Sequence, residues 1–301
     1  MRGGSDDDVL DALVPRPLRR SGWMTFRTLF VDAFVPPESS EPHYWFETRR
    51  PFCNLVFLLP LLLIYEFGVL AIGGTESETF RNGADAWMRQ FLLRLGIDLL
   101  WLLPVSLIGA LVFWQWASRQ PWRTSWDTLG GMIAESLLFA FALILVGQAV
   151  DSCFRQPQTN LLQIEGSRWA HSLLIRSVTF LGAGIYEEFL FRLCLIPVTY
   201  AAFRTLLVPH RWSVGATIVL TSLVFSLAHY LGAPDQDYSL TVLTDAVVRV
   251  QSTRALWFGF VFRTLAGMFF AGLFFLRGFG ITVGAHAAYD VIVGAVLISE
   301  L

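Results

Sequence analysis

Apolar residues along this chain gather into runs at about 53–73, 97–117, 128–150, 172–207, 212–230, 256–276 and 280–298. Roughly 20 apolar residues in a helix cross a hydrocarbon core of about 30 Å, so each run is long enough to span. The run 172–207 is too long for one straight crossing. Gly182 and Gly184 offer a break there, which predicts a shorter helix followed by a second one starting near Ile185. Linkers between the runs are short, and no repeat or low-complexity tract stands out. The pattern predicts an all-α fold: a polytopic integral membrane bundle of about seven to eight transmembrane helices, forming one domain over 51–301.

Residues 1–50 break that pattern, being polar and rich in proline and charge. They lack the short apolar core and cleavage site of a signal peptide, so the first span is expected to serve as the insertion signal. Within this tail Trp23, Phe26, Phe30 and Phe34 recur at helical spacing opposite Arg27 and Asp32. That face predicts an amphipathic helix in the membrane interface or a partly buried surface helix. Arginines flank most spans on both sides, and those of the tail place the N-terminus in the cytoplasm by the positive-inside rule.

Composition agrees with a membrane protein. Hydrophobic residues make up 54% and charged residues 15%, where a soluble domain carries about 25% charged residues. A net charge of −2 without a basic patch excludes a nucleic-acid partner. Every basic residue is arginine, which reads as composition bias. Cys53, Cys153 and Cys194 stand far apart without a CxxC, so they suggest buried apolar side chains rather than a disulfide framework or a thiolate metal site.

Charges inside apolar runs are the candidates for chemistry, because an ionisable group at a helix centre costs about 2.5 to 3.5 kcal/mol and needs a partner. Glu66, Glu135 and Arg263 are isolated in sequence and read as members of inter-helix ion pairs or as interfacial residues. The stretch YEEFLFR, Tyr186 to Arg192, is different. At about 100° per residue Arg192 stands about 40° round a helix from Glu188 but about 140° from Glu187. Glu188 and Arg192 can therefore pair, in the favourable order at i,i+4. Glu187 is left facing another direction without a local cation, where a carboxylate can serve as a general base. The alternative is that both glutamates satisfy arginines on neighbouring helices.

Five histidines are present, and His43, His171 and His210 lie in loops or at span ends. His229 and His286 lie within apolar helical runs. If 208–211 form a tight turn, Glu187 and His229 reach nearly the same depth on antiparallel helices. A helix from Gly280 carries His286 only about 9 Å inward against about 26 Å for His229, counting 1.5 Å per residue. Tilt or protrusion must close that difference.

Taken in order, EExxxR (Glu187, Glu188, Arg192), FxxxH (Phe225, His229) and an HxxxN-like ending (His286, Asp290) resemble the CAAX-protease and bacteriocin-processing (CPBP) family of intramembrane glutamic endopeptidases. The resemblance covers about 170–301, the expected catalytic core, and leaves 51–169 without a counterpart. It implies peptide-bond hydrolysis within the membrane: Glu187 and His229 activate a water, and His286 with Asp290 stabilises the oxyanion. Glu188, Arg192 and Phe225 support them, Phe225 one turn from His229 packing its ring. Where many members carry asparagine, this chain has Asp290. No cofactor is expected, although the same residues Glu187, His229 and His286 form a His₂Glu set that zinc would accept.

Rival classes use the same residue types. A proton-coupled transporter would carry intramembrane carboxylates and histidines, but it would more often show symmetry between halves, which is not seen here. A non-catalytic membrane scaffold or bacteriocin-immunity protein would share the fold. The expected partners are the lipid bilayer and a peptide or protein substrate that is membrane-anchored or lipidated. The expected location is a bacterial inner membrane, crossed many times.

Overall fold

The computed structural model describes residues 43–74, 81–154, 169–231 and 240–296. The tail face of Trp23, Phe26, Phe30 and Phe34 lies outside the described residues. Within them every regular element is helical. In chain order these are α1 (His43–Glu47), α2 (Pro51–Gly73), α3 (Gly83–Arg94), α4 (Leu102–Ser118) and α5 (Trp126–Phe154), then α6 (Trp169–Glu188). A π-helical segment (Phe189–Leu195) joins α6 to α7 (Ile196–Thr205). The rest are α8 (His210–Ala228), α9 (Leu240–Ser252), α10 (Trp257–Arg277) and α11 (Phe279–Asp290), which runs on into a second π segment, Val291–Val296.

Four segments are long and apolar enough to cross a membrane: Pro51–Gly73, Trp126–Phe154, His210–Ala228 and Arg254–Arg277. Leu102–Ser118 and Phe279–Gly294 are apolar but shorter. In those four spans no more than 33% of the most apolar window is buried inside the protein. Outward faces carry large apolar side chains such as Phe67, Leu138, Phe141 and Leu145. Water would penalise such faces, whereas lipid tails solvate them. Exposed tryptophans sit at helix ends, with Trp101 before α4, Trp116 near its close, Trp126 opening α5, Trp212 near the start of α8 and Trp257 opening α10. That is the position interfacial aromatics take. The chain is a helical polytopic integral membrane protein.

The expected break at Gly182 and Gly184 does not occur. The helix runs through both glycines to Glu188 and then widens into the π segment. Both glycines serve close packing instead. A side chain at Gly182 would overlap the ring of Tyr65 on α2. At Gly184 a Cβ would lie 2.6 Å from the backbone nitrogen of Ala287 and 2.7 Å from its Cα. Here α6 and α11 touch backbone to backbone, the contact that small residues permit between membrane helices. The sequence signal was read as conformational freedom when its cause was proximity.

Buried from Phe279 to Ala287, α11 is an interior element packed on α2, α5, α6 and α10. It is reached by a sharp corner at Gly278, whose φ of 89° favours glycine. Asn54, in the first turn of α2, then accepts from the Gly280 N–H at 2.6 Å. The isolated charges of the sequence find partners across the bundle. Glu135 on α5 takes a two-pronged contact from Arg277 at 2.9 Å each, and Glu66 on α2 meets Arg81 at 3.3 Å. Arg263 reaches the Tyr230 hydroxyl at 3.1 Å.

Because the atoms facing Gly184 belong to backbone, the neighbour cannot swing aside. Gly184→Ala gains up to about 1 kcal/mol of helix propensity but overpacks the crossing at a typical cost of about 1–3 kcal/mol. The expected outcome is a lower unfolding temperature in detergent, and an unchanged or raised one would show that α6 and α11 can separate freely.

Candidate active site

Two adjacent carboxylates at the end of α6 are sent in different directions. Glu188, wholly buried, puts Oε2 at 3.0 Å from Arg192 Nε in the π segment. The expected i,i+4 pair therefore forms, one turn into a stretch with π winding, which is frequent at functional sites. Arg192 also donates from Nη2 to the Gly267 carbonyl on α10 at 3.2 Å. Its guanidinium lies over the rings of Phe225 (4.6 Å) and Phe270 (5.6 Å). The other oxygen of Glu188, Oε1, is 2.7 Å from His286 Nδ1 on α11. One carboxylate thus ties α6 to its own continuation and to the interior helix.

Glu187 is turned toward the remaining space and keeps 13% side-chain exposure, against 0% for Glu188. Its Oε2 stands 3.7 Å from His229 Nε2 and 3.9 Å from His286 Nε2. Its Oε1 accepts from Asn82 Nδ2 at 3.4 Å. His229 caps the C-terminal end of α8, where its ring turns back so that Nδ1 lies 2.9 Å from the Phe225 carbonyl. A carbonyl can only accept, so Nδ1 carries the proton and Nε2 offers a lone pair. Phe225 meets the His229 ring edge-on at 5.0 Å, the packing expected one turn away.

His286 is held on three sides. Its ring stacks on Phe270 at 4.5 Å, Nδ1 faces Glu188, and Nε2 lies 3.4 Å from Asp290 Oδ2 as well as near Glu187. Depth counting from a common plane left His286 far from His229. In the structure both histidines nonetheless stand beside Glu187 Oε2, at 3.7 and 3.9 Å, and α11 is already buried at its first residue, Phe279, so the assumed common starting plane does not hold.

All seven residues singled out from the sequence, Glu187, Glu188, Arg192, Phe225, His229, His286 and Asp290, therefore meet in one cluster. Phe270 and Asn82 complete it and were missed. Phe270 is one ring in an aromatic-rich helix, so composition offered no signal for it. Asn82 lies between two of the apolar runs, where no residue was singled out, and the structure makes it the N-cap of α3. For a jointly bound zinc at about 2.0–2.1 Å from each ligand, tetrahedral donors stand about 3.3 Å apart. The Glu187 oxygen is wider than that from both histidines, and no described group of three His, Cys, Asp or Glu side chains forms a metal site.

Such an arrangement has the parts for hydrolysis: a reachable carboxylate, a histidine lone pair beside it, and a second histidine fixed by carboxylates. Comparison with known proteins gives one match, in which residues 169–292 fit the family described as type II CAAX prenyl endopeptidase Rce1-like. No curated protein and no solved structure matches the chain. The matched residues begin with α6 and end just after α11, and so contain all three motifs and every residue of the cluster except Asn82. Residues 169–292 of this chain are thus similar to the type II CAAX prenyl endopeptidase Rce1-like family, in agreement with the resemblance of the three motifs to the CPBP endopeptidases.

Proposed function

We propose that the protein is an intramembrane endopeptidase that cleaves a peptide bond of a membrane-associated or lipidated substrate, with water activated by Glu187 and His229. The observation that carries this reading is the convergence of Glu187 Oε2, His229 Nε2 and His286 Nε2, from three helices, within 4 Å of the same carboxylate oxygen. A water between Glu187 and His229 would donate one hydrogen to each, since both present acceptors, and would aim a lone pair at the substrate. Glu187 takes the proton as the oxygen attacks the scissile carbonyl carbon. It then returns the proton to the leaving amine as the C–N bond breaks, leaving a carboxyl terminus and a free amine.

The oxyanion role falls to His286. With Nδ1–H donated to Glu188, the ring can donate from Nε2 only when it carries both protons. Glu188 holds Nδ1 and Asp290 faces Nε2, so Asp290 steadies the nitrogen that meets the substrate. One well-placed donor of this kind contributes about 10²- to 10³-fold. The type of lipid on the substrate and the bacterial inner membrane as the location belong to this reading. A zinc enzyme would use the same three residues, and it differs in its response to chelation.

Substitutions and chelation test this. Glu187→Gln abolishes cleavage of a lipidated CAAX reporter peptide and leaves the protein folded. Glu188→Gln lowers the unfolding temperature as well, because removing one partner of a buried pair costs about 3–5 kcal/mol; equal stability and equal partial activity in the two variants would contradict this division. Purified enzyme keeps its activity through prolonged treatment with a strong chelator, and a loss that zinc alone restores would move the mechanism to the metal. Asp290→Asn loses no more than about tenfold, or 1.4 kcal/mol, because the amide keeps the shape and can still accept. Asp290→Leu loses about 10² or more, and a leucine variant with wild-type rate would remove Asp290 from the site.

A further inference from the structure

The matched segment starts at residue 169, yet one side chain on Glu187 comes from far upstream. We propose that Asn82 is a positioning residue for Glu187, supplied by the N-terminal half of the membrane domain. This role rests on the reading of Glu187 as the general base.

The geometry of Asn82 is fixed by contacts that leave its amide no choice of orientation. It is the N-cap of α3, and its Oδ1 accepts from the Ala84 N–H at 2.8 Å. With the oxygen committed to the helix, the NH₂ must point the other way, and Nδ2 faces Glu187 Oε1. The backbone of Asn82 is pinned as well, its N–H donating to the Tyr65 hydroxyl at 3.1 Å.

Behind Asn82 lies a sealed polar network that holds the start of α3 against the bundle. Tyr65 donates to Asp85 Oδ2 at 2.9 Å. Asp85 is gripped by Arg81 at 2.8 Å and by Arg89 at 2.7 Å. Arg89 also donates to the Leu100 carbonyl at 2.6 Å. Arg81 continues to Glu66 at 3.3 Å, and Glu66 accepts from the hydroxyl of Tyr186, the residue just before Glu187. Two consecutive residues thus have separate anchors in space: the side-chain hydroxyl of Tyr186 is held by Glu66 on α2, and the carboxylate of Glu187 by the cap of α3.

The consequence for chemistry is directional. With Oε1 engaged by an N–H, the carboxylate plane is set and Oε2 is the oxygen presented to His229 and His286. Without that donor the side chain can rotate, and a displacement of about 1 Å at a reacting group is enough to cost about 10²-fold.

Cap and donor functions separate by substitution. Asn82→Ser keeps a capping oxygen but is too short to reach Glu187, and Asn82→Asp keeps both cap and reach but offers an oxygen in place of the N–H. The full-length protein, purified in detergent and assayed with a farnesylated CAAX peptide, is expected to lose kcat by about tenfold or more in both variants. KM stays within about twofold, and Asn82→Ser keeps the wild-type unfolding temperature. Asn82→Ala, which loses the cap, unfolds at lower temperature. Wild-type kcat in the serine and aspartate variants, or a loss seen only where stability falls, would reduce Asn82 to a helix cap and overturn the role. If wild-type protein cleaves nothing, the protease reading fails by itself. The contact is then decided by the unfolding temperatures of Asn82→Ala, Glu187→Ala and the double variant: losses short of additive support it and additive losses overturn it.

Discussion

A charge removed from water and placed among helices in lipid must be paired, and Glu188 is where this molecule meets that demand most fully. Its two oxygens are divided between Arg192 and His286, so a single carboxylate links α6, the π segment and α11. Arg192 in turn reaches the Gly267 carbonyl and lies over Phe225 and Phe270, which brings α8 and α10 into the same cluster. In an apolar interior breaking such a pair leaves an uncompensated charge, a cost of about 3–5 kcal/mol. These contacts draw α6, α8, α10 and α11 together about the site.

The neighbouring glutamate is left without an ion pair to Arg192 because Glu188 has taken it. Adjacent positions on a helix face different directions, and widening the next turn into a π segment keeps Arg192 beneath Glu188. Glu187 therefore turns to a space bordered by two histidine nitrogens and an asparagine amide. The site's geometry is set less by Glu187 than by the groups that immobilise its surroundings: the Phe225 carbonyl on His229, Phe270 and Glu188 on His286, and the α3 cap on Asn82.

Among the described residues a second buried polar network adjoins the one around Glu188. This network, built from Glu66, Asp85, Arg81, Arg89 and Tyr65, contains two carboxylates and two guanidiniums and is nearly sealed from solvent. Its contact with the site through Tyr186 and Asn82 gives the upstream helices a part in holding the site, although they lie outside the matched family segment. Small residues serve the same end. At Gly184 the backbones of α6 and α11 come close together, beside the contact of His286 with Glu188.

Much of this was legible in the chain because membrane insertion and helix periodicity act on local sequence. Apolar runs, the i,i+4 relation of Glu188 to Arg192, the distinct facing of Glu187 and the two intramembrane histidines all follow from spacing alone. Other features depend on residues distant in sequence, and no local pattern encodes them. Gly182 and Gly184 looked like a break because a glycine has the same local signature whether it bends a chain or admits a neighbour. Glu66 looked isolated because its partners lie in the linker and on α3, and nothing local ties Asn82 to Glu187, which lies 105 residues on. Sequence determined which residues must be buried and which charges needed partners, since those costs belong to each residue. Tertiary structure decided which partner each received, since only the crossing of α6 with α11 and the seating of α3 bring Glu188 to His286 and Asn82 to Glu187.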